Sequence, residues 1–533
     1  KNISALKNDL ESINSFSQGE ILQLRAYLYD AAGNYSVSDV SSTNTTIDII
    51  ANAPIQASIS SNNQFSNLAK TGDEITLSME FDENVTAPGV YIGGNISASV
   101  QDLGGEQYEA LYNTSGDESD GFLSVLVNSI DIYGNQNEYG GTTDGTKVRF
   151  DKVLPTLNQI SVSSSNIWNQ FWAKVGDTIQ YNVNASEDLL NISLLVQGNN
   201  TIITELSLIE YTFQYIFTND NSDGQVNFEV IFSDSAGNSG DIVTGTTNSS
   251  YTIFDKVPPS DFTVQDVITV GENSIANAWN STNSAININI PVSDDESLDS
   301  GRVQIIAKVA NNDFENLDSY HFFQSSDLNN SKIVSVSESL VESISGFSEN
   351  DTITISAIIY DVPGNMTIGS ESNTKLVINQ SIPIIINSNI ESDFSDSSLA
   401  GVDNIITLIF ETDTEIIIPS VTISGQEAII VNLGDNEWQA SYTMQSSDED
   451  GIIPFVIDFM DVYGNPNSVT SSTEDGTSVT FDNSKPSLSF VSIKSSNQDT
   501  TFAKVGDTIT IIFEADEVLT SQIASINSNN TEI

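Results

Sequence analysis

Thr143–Ile179 reads TDGTKVRFDKVLPTLNQISVSSSNIWNQFWAKVGDTI, and about 330 residues downstream, at Thr473–Ile509, it returns as TEDGTSVTFDNSKPSLSFVSIKSSNQDTTFAKVGDTI. A pattern recurring at a long fixed distance marks a tandem array, so the fold is set by a repeating unit and not by one large core. The quoted stretch holds the exit of one unit, Phe150-Asp151-Lys152 with Pro155 behind it, and the entrance of the next, Gly176-Asp177. Equivalent exits are Phe254-Asp255-Lys256 before Pro258 and Pro259, and Phe481-Asp482-Asn483 before Pro486. Proline stiffens the chain and cannot donate to a sheet, so these exits predict short, semi-rigid linkers.

Five D-x-x-G-N turns punctuate the chain: Asp30-Ala-Ala-Gly-Asn34, Asp131-Ile-Tyr-Gly-Asn135, Asp234-Ser-Ala-Gly-Asn238, Asp361-Val-Pro-Gly-Asn365 and Asp461-Val-Tyr-Gly-Asn465. They lie about 100 residues apart, apart from one interval of about 127. Ahead of each turn apolar and polar residues alternate, as in Leu22, Leu24, Ala26, Leu28, or Val226, Phe228, Val230, Phe232, or Ile353, Ile355, Ala357, Ile359. Period two is a strand with one buried face, and Gly-Asn supplies the backbone freedom of a hairpin while Asp caps its amides. A second alternating strand opens the shorter units after Gly72-Asp73, Gly176-Asp177 and Gly506-Asp507; the unit at Val402-Asp403-Asn404 keeps the strand and loses the glycine. No helical period of useful length is visible. The predicted fold is all-β, with tandem antiparallel sandwiches of about seven strands each in an extended array. Their boundaries are 1–52 and 485–533 (partial units), 53–154, 155–257 and 382–484 (short units), and 258–381, a long unit whose insert at Asn312–Leu328 is a loop or extra strand pair.

Lys and Arg total 16 against 73 Asp and Glu, a formal charge of −57. Such a surface repels phosphate, so neither nucleic acid nor an anionic membrane face is an expected partner, and cations are. The absence of cysteine rules out disulfides and thiolate chemistry. No run is apolar enough to span a membrane, and any export signal or anchor is expected outside this stretch.

The combination A-K-V-G-D-T-I at Ala173–Ile179 and Ala503–Ile509, D-x-x-G-N, and T-x-x-G-T…F-D-x-x-x-P resembles the immunoglobulin-like repeats of large secreted bacterial and archaeal surface proteins. The resemblance implies an extracellular adhesin stalk, surface-layer subunit or filament, and junctions that bind calcium.

Acidic turns are the first chemical candidates. Asp117 and Asp120, Asp220 and Asp223, and Asp448 and Asp450 surround an Asp-Gly pair ten positions ahead of a hairpin Asp. Calcium takes six to eight oxygen ligands, which such loops supply in part; the alternative is a solvated connection in which Asp caps a turn. The linker aspartates Asp151, Asp255 and Asp482 stand as interdomain calcium candidates, with Lys152 and Lys256 beside two of them suggesting local ion pairs instead. Asn84, Asn95, Asn113, Asn191, Asn248, Asn280 and Asn365 fit the N-x-S/T acceptor pattern, expected by chance in so Asn- and Ser-rich a chain. Trp168 and Trp172 are candidates for stacking on glycans, Trp438 for the core. No nucleophile, P-loop or metalloprotease motif is present, and the single histidine, His321, has no partners that suggest a triad. The expected function is a non-enzymatic spacer, filament or lattice element of the cell surface, with other copies, neighbouring surface proteins or glycans as partners; a glycan-binding adhesin and a cation-gathering surface-layer subunit are the alternatives.

Overall fold

The computed structural model describes residues 3–94, 96–526 and 529–531. The chain forms two compact units, Lys1–Val257 with Val362–Asn365, and Pro258–Asp361 with Met366–Ile533. The fold is all-β, a tandem array of sandwiches, and the alternating strands bury the faces that the sequence marks. Ile75, Leu77 and Met79 face inward from Glu74–Glu80, and Leu77 lies opposite Ile59 on one neighbour and Ala110 on the other.

Segment 53–154 shows the pattern of the short units. One antiparallel sheet runs Ser99–Gly104, Gln107–Asn113, Glu74–Glu80, Gln56–Ser61; the second runs Gln136–Gly140, Val125–Asp131, Val85–Ile92, Ile96–Ser97. Apolar side chains between them form a cluster from Ala57 to Phe150. A third, small sheet joins the two ends: Leu68–Ala69 pairs parallel with Arg149–Phe150, which also pairs antiparallel with Gly121–Phe122. Trp172–Ala173 with Ile253–Phe254, and Leu399–Ala400 with Thr480–Phe481, repeat that parallel pairing. Separate clusters fill 155–257, 258–381 and 382–484.

Three departures from the sequence reading have local causes. Two one-turn α-helices, Lys7–Glu11 and Glu338–Val341, are too short to show a helical period. At the position of Gly72 (φ +93°) and Gly176 (φ +91°), Asp403 takes a positive φ of 70°, so the turn keeps its shape without glycine. Leu24 and Leu28 are exposed, because residues 1–52 contain no counterpart of Asn283–Val292 and Arg302–Val309, which cover the equivalent face in 258–381. The insert forms short strands, Glu315–Asn316 and His321–Phe322, on the edge of Arg302–Val309. Buried Arg302 fixes it by lying 5.2 Å from the ring of Tyr320 and 4.7 Å from that of Tyr360. His321 Nε2 pairs with Asp318 Oδ2 at 2.9 Å.

Because the clusters are separate, damage to one stays local. Trp279, fully buried in 258–381, reaches only its own cluster, so Trp279→Ala removes about 3–5 kcal/mol from that segment. Calorimetry of the whole chain is expected to show one transition lowered and the others in place; a common shift of all transitions contradicts separate cores. In the same segment Glu371 receives hydrogen bonds from Lys308 and Lys375, 2.8 Å each, which hold its carboxyl down to about 2. A depressed folded value gives stability that is present above the ordinary 4.5 and lost as pH falls toward 2. Glu371 is half exposed, so the effect is below about 1 kcal/mol. Glu371→Gln is expected to flatten this acid limb in melts at successive pH values.

Candidate functional site

The D-x-x-G-N turns that begin at Asp30, Asp131, Asp234 and Asp461 are hairpins closed by their own side chains. In Asp131–Asn135, Asp131 Oδ1 accepts from the amides of Tyr133 (2.8 Å) and Asn135 (2.9 Å), and Asn135 Nδ2 donates to Asp131 Oδ2 at 2.7 Å. Gly134 has φ +97°, which an L side chain adopts only with strain. Burial works against the Asp131 carboxylate, but hydrogen bonds from Asn135, Tyr133 and Gly134 hold its carboxyl below the usual range.

The turn also serves a second purpose, at the places where segments meet. Asn238 Nδ2 donates to Asp234 Oδ2 (2.8 Å) and also to the carbonyl of Asp151 in the preceding linker (3.0 Å). Meanwhile Asn63, held by Asp73 Oδ2 at 2.7 Å, donates to the carbonyl of Ala236, the third residue of that turn, at 2.9 Å. Within the second unit Asn465 Nδ2 donates to the carbonyl of Asn379 (3.0 Å), and Asn280 Nδ2 to that of Tyr463, again the third turn residue (2.7 Å). The first unit contains the pair once more, Asn365 with the carbonyl of Asp255 (3.0 Å) and Asn166 with that of Pro363 (2.8 Å). A socket asparagine on one segment and a turn asparagine on the next thus bracket the joint of 53–154 with 155–257 and that of 258–381 with 382–484. This contact was not foreseen from the sequence, since an Asn beside a Gly-Asp loop reads as a turn residue.

Acidic groups converge at the joint of 53–154 with 155–257. Carboxylate oxygens of Asp151, Glu187 and Asp234 lie within 4.8 Å of one another. Burial, and then the charges of Asp151 and Asp234, push the Glu187 carboxyl up. Glu83 holds the equivalent place beside Asp48 and Asp131; burial first and those charges next raise its carboxyl too, and its Oε1 is buried without a hydrogen-bond partner. Asp151 is the linker aspartate singled out above; Glu187 and Asp234 were not, because they lie in a strand connection and a hairpin far away in sequence. Asp255 Oδ1 accepts from the Val257 amide and Asp482 Oδ1 from the Ser484 amide.

The acidic loops have a different arrangement. Asp120 Oδ1 accepts from the Lys152 amide, and the Lys152 ammonium donates to the carbonyls of Gly116 (2.9 Å) and Glu118 (2.8 Å). Asp223 and Lys256 repeat this with the carbonyls of Asn219 and Asn221. In 382–484 the lysine is Asn483, whose Nδ2 reaches the Ser446 carbonyl (3.0 Å), while Asp450 accepts from the Asn483 amide and the Ser484 hydroxyl. Asp117 and Asp220 are exposed; Asp448 accepts from the Gln445 amide and the Tyr442 hydroxyl. A covalent ammonium therefore sits among the loop oxygens in two of the three units. Trp438 is in the core, at the register position of Tyr108 and Tyr211, whereas Trp168 is partly exposed and Trp172 lies in the small parallel sheet. Asn280 and Asn365 are engaged in joints, and Asn95 lies outside the described residues.

No known protein family matches the chain, and no curated protein does. Among solved structures it is similar to a Ca2+-stabilized adhesin with which an Antarctic bacterium binds ice, at 14% identity and a TM-score of 0.31, covering 81% of this chain and 100% of that one. It is similar also to a tetra-tandem repeat from the extending region of a large adhesion protein, at 14% identity and TM-score 0.26, covering 80% and 100%. Titin domains A168–A170 give 10% identity and TM-score 0.24, covering 61% and 100%.

Proposed function

We propose that this chain is a non-enzymatic, load-spanning segment of a large cell-surface protein, a spacer made of small sandwiches joined stiffly in series. The observation that supports this most directly is the repeated bracket of socket and turn asparagines, since a chain selected only to fold its domains needs no such bonds between them. Net charge of −57 favours cations as counter-ligands. Asp151, Glu187 and Asp234 are the oxygen donors that such a cation, calcium by its preference for hard oxygen ligands, would bridge at the joint. Other copies of the chain or neighbouring surface proteins are its expected partners.

Stiffness is measurable because the chain has no cysteine of its own. Spin labels on Ser99→Cys and Thr204→Cys, both exposed, span the joint of 53–154 with 155–257. In calcium a narrow distance distribution is expected, broadened by Asn63→Ala with Asn238→Ala; a broad distribution in the parent chain with calcium present would remove the stiff-spacer reading.

The cation reading has its own check. A ligand bound only by the folded state stabilises it by RT ln(1 + [L]/Kd), so calcium is expected to raise the melting temperature above that in chelator. Glu187→Gln is expected to abolish that response. In chelator the same variant is expected to be the more stable at neutral pH, because a carboxyl raised in the folded state favours folding only as pH falls through its folded value toward the ordinary 4.5. Equal melts with calcium and chelator would dismiss the cation and leave the spacer standing.

A further inference from the structure

The joints are not chemically alike. At the linker position, Asp48, Asp151, Asp255 and Asp482 correspond to Asn379; in the strand connection, Glu83, Glu187 and Glu517 correspond to Thr414. Both replacements fall in the one joint between 258–381 and 382–484, which keeps Asp461 as its only carboxylate at these three positions. Asp461 is fully served by its own turn, accepting from the Tyr463 amide (2.9 Å), the Asn465 amide (2.8 Å) and Asn465 Nδ2 (2.8 Å).

The freed positions are used for direct bonding. Asn465, with no exposed surface, sends Nδ2 to both the backbone carbonyl and the side-chain Oδ1 of Asn379, 3.0 and 2.6 Å, and its own Oδ1 accepts from the Ser281 amide at 2.8 Å. Asn280, equally buried, spans from the carbonyl of Asn273 to that of Tyr463, 2.7 Å each. Asn467 Nδ2 adds a bond to the linker carbonyl of Pro383 at 2.7 Å. In the 53–154 joint, by contrast, Asn238 reaches only the backbone of Asp151, and the side chains of Asp151 and Glu187 face Asp234 as like charges. Neutral amides at hydrogen-bonding distance close a joint without a counter-ion; facing carboxylates repel until one is supplied.

We propose that Asn379 and Asn465 make the joint between 258–381 and 382–484 a carboxamide interlock that stays closed without any cation, so that one chain carries both a permanently closed joint and a cation-responsive one. The second half of this statement rests on the cation reading above; the first does not.

Spin labels on the exposed Ser335→Cys and Asn432→Cys report the interlock, and those on Ser99→Cys and Thr204→Cys the acidic joint, all in the full chain. Chelator is expected to broaden the 99/204 distance distribution and leave 335/432 narrow. Asn465→Ala, and the milder Asn379→Ala, which removes only the Oδ1 contact, are expected to broaden 335/432 in both calcium and chelator, with the melting transition of 382–484 as the check on folding. Asn379→Asp with Thr414→Glu is expected to make 335/432 chelator-sensitive. Broadening of 335/432 by chelator in the parent chain, or a narrow distribution in both alanine variants, overturns the interlock. If chelator broadens neither distribution while the alanine variants broaden 335/432, the interlock holds and the cation reading fails.

Discussion

One carboxamide, that of the asparagine ending a D-x-x-G-N turn and buried at Asn238 and Asn465, connects local folding to long-range order. Asn238 and Asn465 each complete a hairpin through the turn aspartate and tie it to the linker entering the same segment. Amide N–H groups buried without partners cost free energy, so the turn is fully satisfied only when the linker lies against it. That couples the folding of each sandwich to the course of the chain on its near side. The socket asparagines, Asn63 and Asn280, extend the same logic to the segment before.

Charge acts on this scaffold as an opposing force. Like carboxylates at Asp151, Glu187 and Asp234 disfavour the very approach that the asparagines hold, and burial, then those charges, raise the Glu187 carboxyl. Elsewhere the chain has dealt with the same problem covalently, by turning the ammonium groups of Lys152 and Lys256 back into acidic loops.

The strands were legible because period-two patterning is a local signal: Ile406, Leu408 and Phe410 alternate in sequence and all three are buried. The hairpin role of D-x-x-G-N was legible for the same reason, since its bonds close within five residues. Its joint role was not, because Asn63 and Ala236 are 173 positions apart and neither residue type announces a partner. Lys152 beside Asp151 suggested an ion pair between neighbours, yet a lysine side chain is long enough to reach carbonyls more than thirty residues back. The acidic trio was legible by one member only, as its other two come from separate connections.

The small parallel sheet ties the entrance of a short unit to its exit, Leu68–Ala69 beside Arg149–Phe150. Parallel strands with ends leading opposite ways are pulled along their length, so tension applied through the linkers loads these hydrogen bonds in shear, all at once, and not one after another as in peeling. With the buried Phe150, Phe254 and Phe481 anchoring the exit strands, the patch loaded in shear is also among the best-packed of each short unit.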